Sequence, residues 1–296
     1  MPTMSLPQTY KREVFKELGH PLTVEDAPLK PPATKELLIK VEACGVCYSD
    51  MYSQYNGLGG GFPIAPGHEI IGKVAAVGSD VRDWNVGDRI GAGWHGGHDG
   101  TCKACKRLVP DVRQYCGQWR DKGRWIKTVA VQGLGGLGHL AIQYAKHMGY
   151  RVVAISRGTD KEVAARELGA DDFIDSNRGD AGEQLAAVGG AALAITTAST
   201  GEAITPLLKG LGILGKLLIL SFPSNLALNP TDLLKYGLSV QFWPSGHPGD
   251  AEEAIRFAEN NNIKSVIEKF PLSQAQQAFD SILSGKVRFR AVITMD

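Results

Sequence analysis

The sequence predicts an α/β protein in two parts, a small β-barrel or sandwich-like domain followed by a doubly wound parallel sheet. Up to about Gly93, short apolar runs such as ELLIKVEA (36–43) and IIGKVAAVG (70–78) are separated by glycine and proline, which is typical of a domain of short strands. From Thr128 onward the pattern changes, and apolar runs alternate with helical stretches such as LGHLAIQYAKHMG (137–149). Strands that alternate with helices of this length indicate a parallel sheet covered on both faces.

The composition is that of a folded protein and argues against several classes of partner. Of the 296 residues, 43% are hydrophobic and 21% are charged, which is ordinary for globular domains, and the length suits two of them. A net charge of +1 argues against nucleic acid or an acidic membrane surface as a partner. The first twenty residues contain no apolar core long enough for a signal peptide, and no later segment is apolar enough to span a bilayer. We therefore expect a cytoplasmic protein with no membrane partner.

The cysteines divide the chain into two chemically different parts. All five lie within the first 116 residues, at Cys44, Cys47, Cys102, Cys105 and Cys116. An odd number of cysteines in a cytoplasmic chain indicates free thiols or metal ligands rather than disulfides. The first part is therefore expected to bind metal, and the second part to do something else.

The second part contains a glycine-rich turn that predicts a dinucleotide site. Gly133, Gly135 and Gly138 form a G-x-G-x-x-G pattern, with Gly136 and Leu137 between the last two. A glycine-rich loop without a ligand is the simpler interpretation of such a pattern alone. Here the turn follows a predicted strand and opens a predicted helix in a βαβ unit, which is the context that phosphate binding requires. The three glycines would permit a tight turn, close approach to a pyrophosphate and close helix–strand packing, and the helix N-terminus would face the phosphates.

The end of the next strand favours NADP over NAD. An NAD-binding chain would place Asp or Glu near residue 156 to bind the ribose hydroxyls. This chain instead has Ser156 and Arg157 there, with Lys161 one helical turn later, and a guanidinium suits a 2′-phosphate. The alternative is a solvated arginine beside an ordinary turn, and Asp160 places an acid nearby.

Two short stretches of the first part carry residues that suit zinc. Cys47 and His68 are the sulfur and nitrogen ligands that tetrahedral zinc prefers. Asp50 could orient a liganding histidine, and Ser49 offers a hydroxyl close to the metal. Taken singly, each has a plainer interpretation: a buried thiol, a hydrogen-bonded core histidine and a cap of a turn.

The order of the motifs along the chain provides the context that each motif lacks. The motifs are GVCYSD (45–50), GHE (67–69), VGDRIG (86–91), C-x-x-C (102–105) and GLGGLG (133–138). In this order they resemble the zinc-containing alcohol dehydrogenases of the medium-chain dehydrogenase/reductase superfamily, in particular the NADP-dependent, cinnamyl-alcohol-dehydrogenase-like branch. The resemblance covers almost the whole chain apart from the stretch after Cys105.

The resemblance implies a catalytic zinc held by Cys47 and His68, with Glu69 beside the metal. It also implies that Ser49 relays the proton of the alcohol and that Asp50 supports His68. The implied reaction moves a hydride between NADP(H) and a primary alcohol or aldehyde, so the cofactors would be zinc and NADP, with NAD the less favoured dinucleotide.

The resemblance further implies how the chain is divided. Residues 1–125 would form an incomplete GroES-like catalytic domain, residues 126–261 a Rossmann cofactor domain, and residues 262–296 a segment returning to the catalytic domain. Arg290 matches the family arginine that reaches the cofactor phosphates. Members of the family usually form dimers or tetramers through the cofactor-domain sheet, so a homodimer or homotetramer is expected.

A second, structural zinc is implied less completely. The family uses four cysteines spaced two, two and seven residues apart; Cys102 and Cys105 match, and Asp99 stands where the first cysteine would be. The fourth position holds no ligand, and Cys116 comes three residues late. A zinc site with a carboxylate and a displaced cysteine, and a lobe without zinc, both remain open.

The segment that normally joins the two domains is much shorter here. Only the fourteen residues 117–130 connect Cys116 to Val131, so by the family pattern the chain lacks roughly fifty residues, much of a small domain's core. No cysteine follows Cys116, and the family's third catalytic zinc ligand is therefore absent. The joining residues either cover apolar surface left by the missing strands or derive from a wrongly assigned exon boundary.

Three hypotheses about function follow. The first is an NADP-dependent zinc alcohol dehydrogenase or aldehyde reductase whose activity is impaired by loss of the third ligand. The second is a catalytically silent NADPH-binding protein derived from this family. The third is a zinc-free reductase of the same fold, which retention of Cys47, His68 and Glu69 disfavours.

Overall fold

The computed structural model describes residues 6–57, 59–94 and 128–295. The chain divides into two compact units, one formed by Met1–Gly97 with Val266–Asp296 and the other by His98–Ser265. The predicted domain boundary at 125/126 lies outside the described residues. The boundary predicted at 261/262 falls four residues before the end of the second unit.

The first unit contains a two-stranded ribbon and a five-stranded sheet. Its strands are β1 (Thr9–Phe15), β2 (Leu22–Pro28), β3 (Leu37–Gly45), β4 (Ile70–Val77), β5 (Arg89–Ala92), β12 (Ile267–Pro271) and β13 (Arg290–Thr294). Strands β1 and β2 pair antiparallel, and the sheet has the order β12-β13-β3-β4-β5. Strands β12 and β13 pair in parallel, and the other pairs of this sheet are antiparallel. Because β13 also pairs with β3, the C-terminal segment belongs to this sheet. Helices α1 (Asp50–Gln54) and α8 (Ala275–Leu283) complete the described elements, with a 3₁₀ turn at Leu272–Gln274.

The core of this unit lies where β1, β13, α8 and the loop after β3 meet. Phe15 and Phe279 are fully buried and pack edge to face, with ring centroids 5.7 Å apart. Val46, one residue beyond the end of β3, belongs to the same buried cluster. The loop that carries Cys47, one of the predicted zinc ligands, therefore starts from a well-packed position.

The second unit is built on a six-stranded parallel sheet. Its strands are β6 (Thr128–Gln132), β7 (Arg151–Ser156), β8 (Asp172–Asp175), β9 (Ala191–Thr196), β10 (Leu211–Ile219) and β11 (Ser239–Phe242). The order is β11-β10-β9-β6-β7-β8, with every pairing parallel. All five residues of β6 are buried because this central strand is covered on both faces.

Helices follow most strands of this sheet, as the alternating pattern predicts. They are α2 (Gly136–His147), α3 (Glu162–Glu167), α4 (Ala181–Ala187), α5 (Gly201–Ile204), α6 (Pro230–Tyr236) and α7 (Pro248–Asn260), with 3₁₀ turns at Ser176–Arg178 and Thr205–Gly210. The strand order reverses at β6, since β7 lies on one side of it and β9 on the other. In doubly wound sheets, ligands bind in the crevice at the carboxyl ends of strands where the order reverses. The predicted α/β fold with a doubly wound sheet is confirmed.

Candidate metal centre and cofactor-binding turn

Two loops of the first unit are tied together by one buried carboxylate. Asp50, at the start of α1, is 5% exposed, and its Oδ2 accepts a hydrogen bond from the Cys47 amide at 2.9 Å. Its Oδ1 accepts a hydrogen bond from the Gly67 amide at 3.3 Å and lies 3.2 Å from His68 Nδ1. One side chain thus fixes the loop after β3 against the loop before β4.

The loops bring three potential metal ligands together. Atoms of Cys47 (Sγ), His68 (a ring nitrogen) and Glu69 (a carboxylate oxygen) all lie within 4.8 Å of one another. In the part of the chain that the structure describes, this is the one such group of three or more Cys, His, Asp or Glu ligands. Ligands of a tetrahedral zinc lie roughly 3.5 Å apart, given bond lengths of about 2.0–2.3 Å. The three groups therefore fit zinc in both chemistry and spacing.

Asp50 also selects the histidine nitrogen that can bind metal. Because the Asp50 carboxylate engages Nδ1 of His68, Nε2 is left to face Cys47. Metal-bound histidines usually have their second ring nitrogen hydrogen-bonded to a carboxylate or carbonyl in this way. The predicted supporting role of Asp50 thus has the geometry that it needs.

The electrostatics of the site stabilise a charged pair. Hydrogen bonds to Asp50 and then to Cys47 raise the pKa of His68 to about 10. Burial raises the pKa of the Cys47 thiol, but hydrogen bonds with His68 and Ser49 outweigh it, and the net pKa is lowered. Without metal, the pair therefore favours a thiolate next to an imidazolium, and a divalent cation would replace the proton between them.

The remaining predicted catalytic residue, Ser49, lies beside Cys47, whereas Cys44 is not part of the group of potential ligands. Ser49 Oγ donates a hydrogen bond to Cys47 Sγ over 3.2 Å. Cys44 is a separate, half-buried thiol, and burial raises its pKa to about 11. A thiol with this pKa is a poor metal ligand.

Arg290 lies at the metal cluster. Its Nη1 lies 3.0 Å from Glu69 Oε1 and donates a hydrogen bond to the Val46 carbonyl at 2.9 Å, and its side chain is only 11% exposed. The resemblance assigned this arginine to cofactor phosphates, a contact that stays a prediction. The structure adds the ion pair with Glu69. The two residues are 221 positions apart, so the sequence gives no signal for this pair.

Two further residues shape this centre: Gly45, which opens the GVCYSD motif but was given no role there, and Trp94, which lies outside the motifs. A side chain at Gly45 would overlap the Glu69 carboxylate, so only glycine leaves Glu69 its place. Trp94 packs its ring edge to face on His68, with centroids 5.0 Å apart at 83°. Together they confine the Glu69 carboxylate and the His68 ring.

The glycine turn of the second unit has the geometry that its pattern predicts. Gly133 has φ +96°, and a side chain there would overlap Thr197 Oγ1. A side chain at Gly138 would overlap the Gly133 carbonyl oxygen, so helix α2 packs against the turn only if residue 138 is glycine. A Cβ at Gly135 would meet nothing within 4 Å, so the space beside it is open. Glycine at 135 is thus not explained by the protein's own packing, as expected if a ligand approaches the backbone there.

The end of β7 places the two predicted cations beside the sheet. Ser156 ends the strand, Arg157 is exposed and Lys161 immediately precedes α3. Neither Arg157 nor Lys161 has an ion-pair partner among the described residues. The Asp175 carboxylate at the end of β8 accepts hydrogen bonds from Gly158 and Asn177 amides, so it is committed to holding this turn.

The residues predicted for a structural zinc lie outside the described residues. They are Asp99, Cys102, Cys105 and Cys116. Among the described helices, none is long and apolar enough to cross a membrane.

The fold and the Cys–His–carboxylate cluster together define a two-domain, zinc-type dehydrogenase. Family models agree: residues 33–154 match "Alcohol dehydrogenase GroES-like domain" and residues 136–260 match "Zinc-binding dehydrogenase". The chain is 72% identical to the alcohol dehydrogenase notN of Aspergillus sp. (strain MF297-2), an alignment that covers 99% of this chain and 100% of the relative. The chain therefore belongs to the zinc-containing alcohol dehydrogenases of the medium-chain dehydrogenase/reductase superfamily, a family of oxidoreductases.

Solved structures support the same fold at lower identity. The cinnamyl alcohol dehydrogenase of Helicobacter pylori, solved with NADP(H), has a TM-score of 0.78 at 22% identity and covers 96% of this chain and 97% of its own. Acetophenone reductase of Geotrichum candidum, solved with NAD, has a TM-score of 0.81 at 22% identity and covers 98% of both chains. The two resemble this chain in fold and differ from each other in dinucleotide.

The chain is shorter than its relatives, as its sequence predicts. The alignment with the Aspergillus protein runs over 339 positions, whereas this chain has 296 residues, so at least 43 positions of the relative have no counterpart here. The predicted absence of roughly fifty residues is thus confirmed in approximate size, and the chain still matches the family over nearly its whole length.

Proposed function

We propose that this protein is a zinc-dependent oxidoreductase that moves a hydride between NADP(H) and a primary alcohol or aldehyde. The observation that carries the proposal is the convergence of Cys47, His68 and Glu69 within 4.8 Å, with Asp50 behind the histidine. A bound zinc would act as a Lewis acid on the alcohol or aldehyde oxygen, and the nicotinamide would give or take the hydride.

The chain's own residues have separable tasks in this reaction. Cys47 and His68 hold the metal, and Glu69 supplies the third ligand in place of the absent cysteine. Ser49, 3.2 Å from the Cys47 sulfur, passes the proton of the alcohol. Asp50 keeps His68 in the tautomer that presents Nε2 to the metal.

The preference for NADP rests on charge at the end of β7. Arg157 and Lys161 provide two cations near the position of the ribose, and neither is neutralised by an ion pair within the described residues. Asp160 is the carboxylate that would favour NAD. It lies beside Gly158: a Cβ added to that glycine would be 2.9 Å from Asp160 Oδ1. Two cations outweigh this single acid, so a 2′-phosphate is favoured.

A decisive test combines metal content with turnover. The purified protein should contain one zinc per chain at the Cys47 site and should reduce a panel of aldehydes faster with NADPH than with NADH. The Cys47→Ala variant should lose both zinc and turnover, and Cys44→Ala, three residues earlier and outside the group of ligands, should retain them. A wild-type protein without zinc and without turnover would overturn the proposal.

A catalytically silent NADPH-binding protein is the second candidate. It is favoured by the lack of any cysteine after Cys116, which removes the family's third ligand, and by the missing internal length. Tight NADPH binding in the absence of zinc and turnover would identify it. Sequencing the transcript across codons 106–127 separates this case from a wrongly assigned exon, because a further exon would restore the third cysteine.

Three further features are proposed with the first function: a second zinc site, an oligomeric state and a cellular location. A second zinc would be held by Asp99, Cys102, Cys105 and Cys116, so total zinc would reach two per chain. A homodimer or homotetramer would form through the cofactor-domain sheet, in which β11 is an edge strand. The protein would act in the cytoplasm on a small-molecule substrate.

A further inference from the structure

Two buried polar side chains meet at the carboxyl end of the central strand, directly before the glycine turn. Gln132 ends β6, Thr196 ends the neighbouring strand β9, and the two are partners in the register of these strands. Both are buried, and Gln132 Oε1 accepts a hydrogen bond from Thr196 Oγ1 at 2.7 Å. Residues 129–131 of β6 are apolar and buried, so packing of the core alone gives no reason for an amide at 132.

The remaining polar groups of the pair hold the chain that follows β9. Thr196 Oγ1 accepts a hydrogen bond from the Ala198 amide at 3.1 Å. Gln132 Nε2 donates to the Ala203 carbonyl in α5 at 2.8 Å. The backbone carbonyl of Gln132 accepts from the Thr197 amide at 3.0 Å and from Thr197 Oγ1 at 3.3 Å. One residue of the central strand therefore holds the chain at the start of the loop after β9 and again beyond its end.

The loop after β9, residues 197–200, is fixed between two other loops of the same sheet edge. We call it the β9 loop. A side chain at Gly133 would overlap Thr197 Oγ1, so the β9 loop lies directly against the glycine turn. On its other side, Ser221 Oγ donates a hydrogen bond to the Ala198 carbonyl. The last two residues of the β9 loop are exposed, so its tip is accessible to a ligand.

The strand order determines which half of a dinucleotide would reach the β9 loop. The order β8-β7-β6-β9-β10-β11 places half of the sheet on each side of the reversal at β6. In sheets of this kind a dinucleotide crosses the reversal, with its adenosine half at the glycine turn and the end of the next strand. Here the next strand is β7, which Arg157 follows directly. The nicotinamide half would then extend over the carboxyl ends of β9 and β10.

We propose that Gln132 is a positioning residue of the dinucleotide site: it holds the β9 loop at a fixed place beside the glycine turn, where the loop receives the nicotinamide half. This inference rests on the proposed function, which supplies the dinucleotide. The glycine turn and the β9 loop contact two halves of one ligand, so their separation has to match that ligand. A buried network with all its hydrogen bonds made fixes this separation more closely than apolar contact, because hydrogen bonds are directional.

The experiment compares a long and a short ligand on variants of the buried pair. Gln132→Met and Thr196→Val each remove one polar partner at nearly constant volume, and Thr196→Ser keeps the hydroxyl. Dissociation constants are measured by titration calorimetry for NADPH, which spans both halves of the site, and for adenosine 2′,5′-bisphosphate, which fills the adenosine half. NADH and AMP form a second pair of probes, so the test does not depend on the preference for NADP.

The proposal predicts a loss of affinity that is confined to the long ligand. Gln132→Met and Thr196→Val should each weaken NADPH binding about tenfold, as expected for the loss of one well-placed hydrogen bond. Both should bind adenosine 2′,5′-bisphosphate like the wild type, because the glycine turn and the end of β7 are unchanged. Thr196→Ser should bind both ligands like the wild type, since its hydroxyl can make the same two hydrogen bonds.

Urea unfolding of the same proteins separates positioning from a role in stability alone. Each single variant leaves a buried polar group without its partner and should unfold at a lower urea concentration than the wild type. The double variant Gln132→Met/Thr196→Val removes both partners and should be no less stable than either single variant. Its affinity for NADPH should nevertheless stay low, because the Ala198 amide and the Ala203 carbonyl are no longer held.

The matched control is Tyr144→Phe, which also removes one hydrogen bond from a side chain to a backbone carbonyl in this unit. The Tyr144 hydroxyl donates to the Ala254 carbonyl at 2.8 Å. Tyr144 lies in the last turn of α2, and α2 runs from the glycine turn toward the opposite edge of the sheet. Its removal should therefore leave the affinity for both ligands unchanged.

The outcomes separate this inference from the proposed function. If the wild type binds neither NADPH nor NADH, the proposed cofactor fails and this inference fails with it. If the wild type binds a dinucleotide, and the variants weaken the long and the short ligand equally or weaken neither, the proposed function stands and this inference is overturned. Should Gln132→Met fail to fold, Thr196→Val against Thr196→Ser makes the same comparison.

Discussion

Asp50 should control both the stability of the metal-free protein and its affinity for zinc. In the Asp50→Asn variant, one carboxylate oxygen becomes an amide NH₂ that cannot accept from the Cys47 or Gly67 amide. The charge that pairs with His68 Nδ1 is lost at the same time. The two loops would therefore lose their common anchor, although the size of the side chain is almost unchanged.

The pKa of His68 gives the magnitude of the stabilisation that Asp50 provides in the metal-free protein. It rises from 6.5 to about 10, and Asp50 is the largest cause, followed by Cys47. Each pKa unit corresponds to about 1.4 kcal/mol, so roughly half of the rise assigns about 2–3 kcal/mol to Asp50. Because the folded-state pKa is raised, this stability is fully present below pH 6.5 and is lost as the pH increases toward 10.

The assay is urea unfolding of metal-free protein at pH 6 and pH 9.5, together with zinc affinity at pH 7.5. Asp50→Asn should unfold about 2–3 kcal/mol more easily at pH 6, with a smaller difference at pH 9.5, and should bind zinc about 10–100 times more weakly. Asp26→Asn is the control, since its ion pair with Lys11 is 63% exposed on both sides and should matter little. Equal destabilisation at both pH values, or unchanged zinc affinity, would refute the assigned role of Asp50.

Two further predictions concern the cofactor half. Arg157→Ala should raise the KM for NADPH about tenfold and leave the KM for NADH nearly unchanged. The control is Arg178→Ala, which should change neither KM, since the Arg178 side chain is 73% exposed near Asp175. A parallel rise in KM for both dinucleotides would contradict a 2′-phosphate contact. Gly138→Ala should destabilise the protein by about 2 kcal/mol or more and weaken dinucleotide binding in a fluorescence titration, because its Cβ would overlap a backbone oxygen. Gly249→Ala, whose Cβ would meet no atom nearer than 3.7 Å, is the matched control, and equal effects of the two would argue against close packing as the cause.

The sequence was most informative where local pattern and chemistry coincide. The strand predicted before the glycine turn is TVAVQ (128–132), and the structure has a strand there with all five residues buried. The glycine spacing predicted the contact of Gly138 with the turn, since a side chain there would overlap the Gly133 carbonyl. The order of motifs predicted that Cys47 and His68 converge, and their ligand atoms do lie together.

The remainder depends on contacts between distant parts of the chain. The Glu69–Arg290 ion pair joins a loop before β4 to a strand near the C-terminus, and nothing in either local sequence indicates it. Glu13 belongs to the strand TYKREVF, which mixes polar and apolar residues, so the local sequence does not predict that its Oε1 is buried. Such positions are set by tertiary packing, which periodicity along one element does not encode.

The central chemical question is whether the first unit can hold a metal without the family's third cysteine. The described ligands are assembled by groups that need no metal: Asp50 fixes Cys47 and His68, and Gly45 leaves room for Glu69. A site that is already organised loses less entropy on binding, which offsets part of the affinity that a missing ligand removes. Against this, the Glu69 Oε1 is engaged by the cation of Arg290 at 3.0 Å, so metal and guanidinium share one carboxylate. Glu69 can act as a lasting ligand if Oε2, which faces Gly45, binds the metal while Oε1 keeps its ion pair.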